Sequence, residues 1–233
     1  MWKRSFETAF ILMASVWAPH ALSQTALRLY PSASITSDYR YNGVSYSDGE
    51  PAVQLSLYAT LPEKFYVGVW SSQVDFNDPG HTSYEIDVYA GRTWNVTGSS
   101  LAIEAIYTFF PDKSFAGPTY DFLQGKLRWS RQTGRVTFGG QAAWTSQASY
   151  ASGTAFRTAF DVAYDARSWL EASAHLGRRW IEVGADRSFW DAGMTLRWRK
   201  ASLDLRYVDT NLDVSRCARS CGTTVVATLT VNL

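Results

Sequence analysis

The chain has 233 residues, with 22 lysines and arginines against 21 aspartates and glutamates, for a formal net charge of +1. That balance argues against a polyanion-binding surface, because nucleic-acid binders carry a clear basic excess. Hydrophobic residues make up 46% of the sequence and aromatic ones 15%, but they are spread thinly, and no segment gathers the ~20 apolar residues that a membrane-spanning helix needs.

Lys3 and Arg4 give a positive start, residues 9–17 form an apolar run, and Ala21-Leu22-Ser23 is a small-x-small pattern. That order is the signature of a secretory signal peptide, expected over residues 1–23, with 24–233 as one domain. Once Lys3, Arg4 and Glu7 are removed, acidic and basic side chains are equal in number.

Twelve runs of alternating character follow: roughly 27–37, 51–60, 65–75, 84–95, 100–109, 120–131, 135–145, 155–164, 169–179, 189–199, 202–208 and 223–232. In 84–94, Tyr84, Ile86, Val88, Ala90 and Trp94 share one face, and Glu85, Asp87, Tyr89 and Gly91 the other. In 190–199, Trp190, Ala192, Met194, Leu196 and Trp198 oppose Asp191, Gly193, Thr195, Arg197 and Arg199. Side chains alternate across a strand, so each run has one apolar and one polar face. No stretch keeps a helical period, and the expected fold is all-β.

The connections sort by length. Short links (61–64, 96–99, 132–134, 165–168, 200–201) alternate with mostly longer ones (38–50, 76–83, 110–119, 146–154, 180–188, 209–222). Short periplasmic turns and longer extracellular loops are the pattern of an antiparallel transmembrane β-barrel in a bacterial outer membrane. Tyr84 and Trp94 lie ten residues apart on one face, about 33 Å along a strand. Tilted near 45°, that projects to roughly 23 Å, close to the ~25 Å apolar band of such barrels. Trp190/Trp198 and Phe156/Tyr164 form similar brackets, so these six residues are expected in the two aromatic girdles, against outer-membrane lipid.

The opposite face would then line the lumen, with Glu85, Asp87, Glu104, Lys126, Arg128, Arg157, Asp161, Glu171, His175, Asp191, Arg197, Arg199, Asp204 and Arg206, joined by Gln124 and Gln141. These mixed charges allow two readings. They could line a narrow hydrated path for small solutes, or pair across the lumen and close it. Twelve strands lie between the filled eight-stranded barrel and the open sixteen-stranded one, and no spare segment is expected to act as a plug. Passive passage of small solutes is the preferred reading, ahead of a non-conducting structural or surface-binding barrel.

Catalysis ranks last. Glu171, Ser173 and His175 share a face, but alternate residues sit about 6.6 Å apart, too far for a nucleophile–base hydrogen bond. Cys217 and Cys221 enclose three residues in the last long link. In an oxidising compartment a disulfide is expected there; two thiolates are too few for a structural zinc site. Metal, cofactor and nucleic-acid partners are not expected, and the oligomeric state stays open.

The segment Thr36-Ser37-Asp38-Tyr39-Arg40-Tyr41-Asn42-Gly43-Val44-Ser45 with Pro51-Ala52-Val53-Gln54 resembles the start of the TorF-type porin family. Phe65-Tyr66-Val67-Gly68-Val69-Trp70-Ser71-Ser72-Gln73-Val74-Asp75-Phe76 is similar to its aromatic signature, and Glu85–Gly91 and Leu203–Asn211 also fit. Asn42-Gly43 stands where that family usually has Arg-Gly. The resemblance implies a barrel and a transport role, with no substrate or catalytic residue attached. Read locally, Gly43 and Gly49 suit turns with positive φ, Pro51 suits a strand start, and Gly68 suits a small residue making room for Trp70.

Overall fold

A run that alternates apolar and polar side chains can bury neither face alone. Bent into a closed ring, it satisfies every backbone group and shows one character outside and the other inside. The computed structural model describes residues 27–233, apart from 115, 149–150, 214, 216 and 218–219. The segment expected to be a signal peptide lies outside the described residues.

Twelve strands close an antiparallel barrel: β1 (Arg28–Thr36), β4 (Ala52–Thr60), β5 (Phe65–Gln73), β6 (Tyr84–Val96), β7 (Ser99–Phe109), β8 (Phe122–Thr133), β9 (Val136–Thr145), β10 (Ala155–Arg167), β11 (Leu170–Ile181), β12 (Arg187–Trp198), β13 (Ala201–Thr210) and β14 (Thr224–Asn232). Each pairs with its sequence neighbour, and β1 pairs with both β4 and β14, with Ser32 opposite Asn232 and Thr36 opposite Thr228. All twelve alternating runs are strands, with ends shifted by a few residues.

The links sort as expected. At one end, turns such as Thr97–Gly98 and Arg199–Lys200 are tight; at the other, the loops are long. The outer surface is apolar along its height, and residues such as Leu55, Val69, Ile103, Leu127, Phe160 and Met194 point away from the ring and are exposed. Of the girdle residues, Tyr84, Phe156, Tyr164 and Trp198 are exposed, and Trp94 and Trp190 are half-buried. Phe156 stacks on Trp180 of the neighbouring strand at 5.7 Å, and Trp144 and Trp129 are further exposed aromatics of the outer surface.

The first long link departs from an outward loop. Its residues 38–50 form a small hairpin, β2 (Arg40–Tyr41) with β3 (Val44–Ser45), that folds into the barrel. Its turn, Asn42 at φ 52° and Gly43 at φ 82°, has both central residues in the left-handed region, as a two-residue hairpin turn requires. A plug was not expected from the sequence; the loop itself narrows the lumen.

Candidate functional site

The inward hairpin is held from three sides. Asp38 and Arg40 form a buried ion pair at 2.6 Å. The other carboxylate oxygen of Asp38 accepts from the Ser45 hydroxyl at 2.6 Å, and Arg40 donates to the Gly43 and Gly222 carbonyls at 3.1 and 2.7 Å. Two charges out of water persist when their remaining hydrogen-bonding sites are filled, and here the loop's own backbone and the last long loop fill them.

Across the lumen, Gly43 lies against β12 and β13. A Cβ built on it would stand 2.9 Å from the Asp209 carbonyl and the Thr210 Cβ, and 3.2 Å from the Phe189 Cβ. On the opposite wall, Tyr39 meets Trp70 edge-on at 5.3 Å and donates its hydroxyl to Glu85 at 3.3 Å. Asn42 accepts from Arg157 of β10 at 2.9 Å. The loop therefore crosses the long-loop end of the barrel from β5–β6 to β12–β13.

Its outer side is packed by aromatic residues from neighbouring loops. Tyr46 stacks edge-on against Phe76 at 5.2 Å, and Phe76 against Phe110 and Tyr120 at 5.5 and 5.1 Å. Backbone bonds from Tyr46 N–H to the Tyr39 carbonyl and from Asp75 N–H to the Tyr46 carbonyl, both 2.7 Å, tie these loops together. Burial raises the phenols of Tyr39 and Tyr46 above their ordinary range, so both stay neutral.

The lumen charges pair along the wall. Glu104 on β7 binds Lys126 and Arg128 on β8 at 2.9 and 3.3 Å. Asp191 on β12 binds His175 on β11 and Arg206 on β13, each at 2.5 Å, and Arg206 also reaches Asp204 at 3.1 Å. Arg197 joins Glu171 at 2.6 Å. Every one of these ion-pair partners sits on the same or an adjacent strand, so the pairs run along the wall, and Arg128 also donates to Tyr66 of β5 at 3.1 Å. Pairing across the lumen, the closed alternative of the sequence reading, is made instead by the loop, through Arg157–Asn42 and Tyr39–Glu85.

One of the proposed lining positions has a different setting. Arg199 lies beyond β12 in the Arg199–Lys200 turn at φ 52°, because the strand ends at Trp198; it is exposed at the short-turn end. Asp161 sits against Gly139 of β9, where a Cβ would collide with its carboxylate. The Ser173 hydroxyl accepts from Arg206 at 2.8 Å, which leaves the His175–Asp191 pair without a bonded serine among the described residues. Cys217 and Cys221 are paired in the last long loop, with Cα atoms 5.8 Å apart.

Several cavities lie in the lumen among the described residues, and three of them bear on passage. One of about 480 Å³ is lined by Tyr58, Tyr66, Trp70 and Tyr89 together with Glu104, Lys126 and Arg128. A second of about 480 Å³ lies on the far side of the hairpin against Asp161, His175, Asp191, Asp204 and Arg206. A third, about 340 Å³, reaches Thr93, Ser100 and Ser130 toward the short turns. Gln141 lines all three, and Arg157 lines the two beside the hairpin.

The sequence reading missed the hairpin and the part played by the inward tyrosines. A signal existed for both: Asn42-Gly43 between alternating residues is a strong hairpin mark, and Tyr89 shares the polar face of Glu85 and Asp87. Gly68 makes room for a ring, but for that of Tyr89, the residue opposite it in the register, and not for Trp70.

A family described as "Bacterial protein of unknown function (Gcw_chp)" matches residues 20–233. Among solved structures, a KdgM porin is similar at TM-score 0.59 and 8% identity, over 88% of this chain and 99% of the other. A KdgM porin in complex with disordered oligogalacturonate is similar at TM-score 0.61 and 6% identity, over the same shares. No curated protein matches the chain.

Proposed function

This chain belongs to the Gcw_chp family, and from that premise and its barrel we propose that it is an outer-membrane porin for passive passage of small solutes. The carrying observation is the set of three cavities that meet at Gln141, beside ion pairs that run along the wall. Adjacent-strand pairing satisfies the charges without spanning the axis, which leaves a polar, hydrated path. The inward hairpin then sets the narrowest cross-section, between Glu85 and Asp87 on β6 and Arg157 on β10.

The likeness to KdgM porins supports the architecture, and the TorF-type resemblance of residues 36–91 and 203–211 supports a transport role. In this reading residues 1–23 are a cleaved export signal, the apolar outer face meets lipid, and the short turns face the periplasm, as in bacterial barrels.

Planar-bilayer recording of refolded protein tests the proposal. Discrete unitary conductance steps in potassium chloride, smaller than those of wide trimeric channels, are the expected result. Absence of any unitary current at any voltage would sink it and favour a sealed structural barrel.

A further inference from the structure

Resting on that passage reading, we propose that the tyrosine-lined wall of the lumen is a stacking track for a neutral saccharide.

Tyr30 of β1, Tyr58 of β4 and Tyr66 of β5 stand on three adjacent strands, with ring centroids 5.8 and 5.6 Å apart. Tyr89 of β6 extends the row. Two glycines lay the rings down. A Cβ on Gly68 would fall 2.3 Å from the Tyr89 ring, and one on Gly91 2.4 Å from the Tyr66 ring; each glycine is the register partner of the tyrosine that covers it. A ring tip resting over a glycine lies along the wall; Tyr66 itself is buried, and the half-buried rings of Tyr58 and Tyr89 present surface to the cavity. The Tyr66 ring is also fixed from its far end, because its hydroxyl donates to Glu104 at 3.0 Å and accepts from Arg128 at 3.1 Å.

The rest of the lining of the same cavity is ionic. Its lining holds three acids, Glu85, Asp87 and Glu104, and three bases, Lys126, Arg128 and Arg157. An aromatic wall beside a rim of donors and acceptors fits a molecule with an apolar face and a polar edge. A pyranose is such a molecule: its C–H groups form a face and its hydroxyls an edge. A purely aromatic solute would leave the ionic side unanswered, at the cost of desolvating it. With as many acidic as basic side chains in the lining, a neutral sugar is favoured over a uronate, which would call for a surplus of bases. The volume, about 480 Å³, falls in the ~300–1,000 Å³ range of small-molecule sites, enough for one or two sugar units at a time.

Two measurements test this. Calorimetric titration of the refolded barrel in detergent with maltotriose reads the wall whether or not the barrel conducts; saturable binding is expected. In bilayers, maltotriose should interrupt the potassium chloride current in a concentration-dependent way, more strongly than trigalacturonate or a polyethylene glycol of equal hydrodynamic size. Tyr58→Leu, which keeps bulk and removes the aromatic face, should weaken maltotriose binding about two- to twelvefold, the loss of one stacked ring being worth roughly 0.5–1.5 kcal/mol; Tyr58→Trp should retain it. Phe160→Leu on the outer face should leave binding unaltered. No maltotriose binding in either assay, stronger binding of the uronate, or equal block by the polymer would overturn the proposal. A barrel that binds maltotriose but passes no current would refute the passage reading alone.

Discussion

At the scale of single residues, the hairpin depends on two that tolerate no substitute. Removing the Asp38 carboxylate strands the Arg40 guanidinium, of which only 8% is exposed. Breaking a buried pair by deleting one partner costs roughly 3–5 kcal/mol. The barrel has its own hydrogen-bonded ladder, so that loss falls on the loop: Asp38→Ala should give a noisier, larger conductance with unchanged strand content by circular dichroism. Gly43→Val acts differently. It places a β-branched residue at φ 82° and drives a Cβ into the Asp209 carbonyl and Thr210. The left-handed conformation alone costs ~1–2 kcal/mol. The tip should leave the β12–β13 wall, with mean single-channel conductance rising several-fold.

At the scale of elements, the hairpin and the strand wall make opposite contributions to the bore. Replacing residues 38–50 by a short glycine-rich turn should open the barrel and raise its conductance more than any single substitution, provided heat-modifiable migration on gels confirms that the barrel still closes. Among the wall charges, Arg157→Ala removes a tie between β10 and the hairpin through Asn42 and should widen the channel. Arg197→Ala breaks a pair between neighbouring strands near the short turns and should leave the bore unchanged while shifting ion preference toward cations. The strands were legible because period-two alternation is local and survives without tertiary context. The hairpin was not, because what turns it inward is long-range: Gly43 fits only against Asp209 and Thr210, and Arg40 finds Gly222 at a separation of 182 residues. The tyrosine row was hidden for a similar reason. Alternation placed Tyr89 on the polar face, but only the register of Gly68 with Tyr89 shows where its ring lies.

At the scale of the whole molecule, a ring of apolar side chains outside and paired charges inside makes sense only with lipid around it. The refolded protein should partition into the detergent phase and migrate faster on gels before boiling than after; migration insensitive to heat would argue for a soluble barrel. The disulfide loop belongs to this scale too. The Ser45 N–H donates to the Ser220 carbonyl at 2.5 Å and Arg40 to that of Gly222, so both anchors flank Cys221. Cys217→Ser with Cys221→Ser should therefore loosen the hairpin and increase current noise, while the melting temperature of the barrel moves little, the bridge closing so small a loop that it contributes roughly 2 kcal/mol. A consequence for chronology follows from where the hairpin docks. It is made near the beginning of the chain, yet its seat is built from β12, β13 and the link before β14, the last parts to emerge. The hairpin has no site until the first strand meets the last. Contacts across so much sequence form late, so the inner constriction is the final act of assembly. A chain cut before β13 would insert, if at all, with an undocked segment, and docking of the hairpin therefore reports that the ring has been completed.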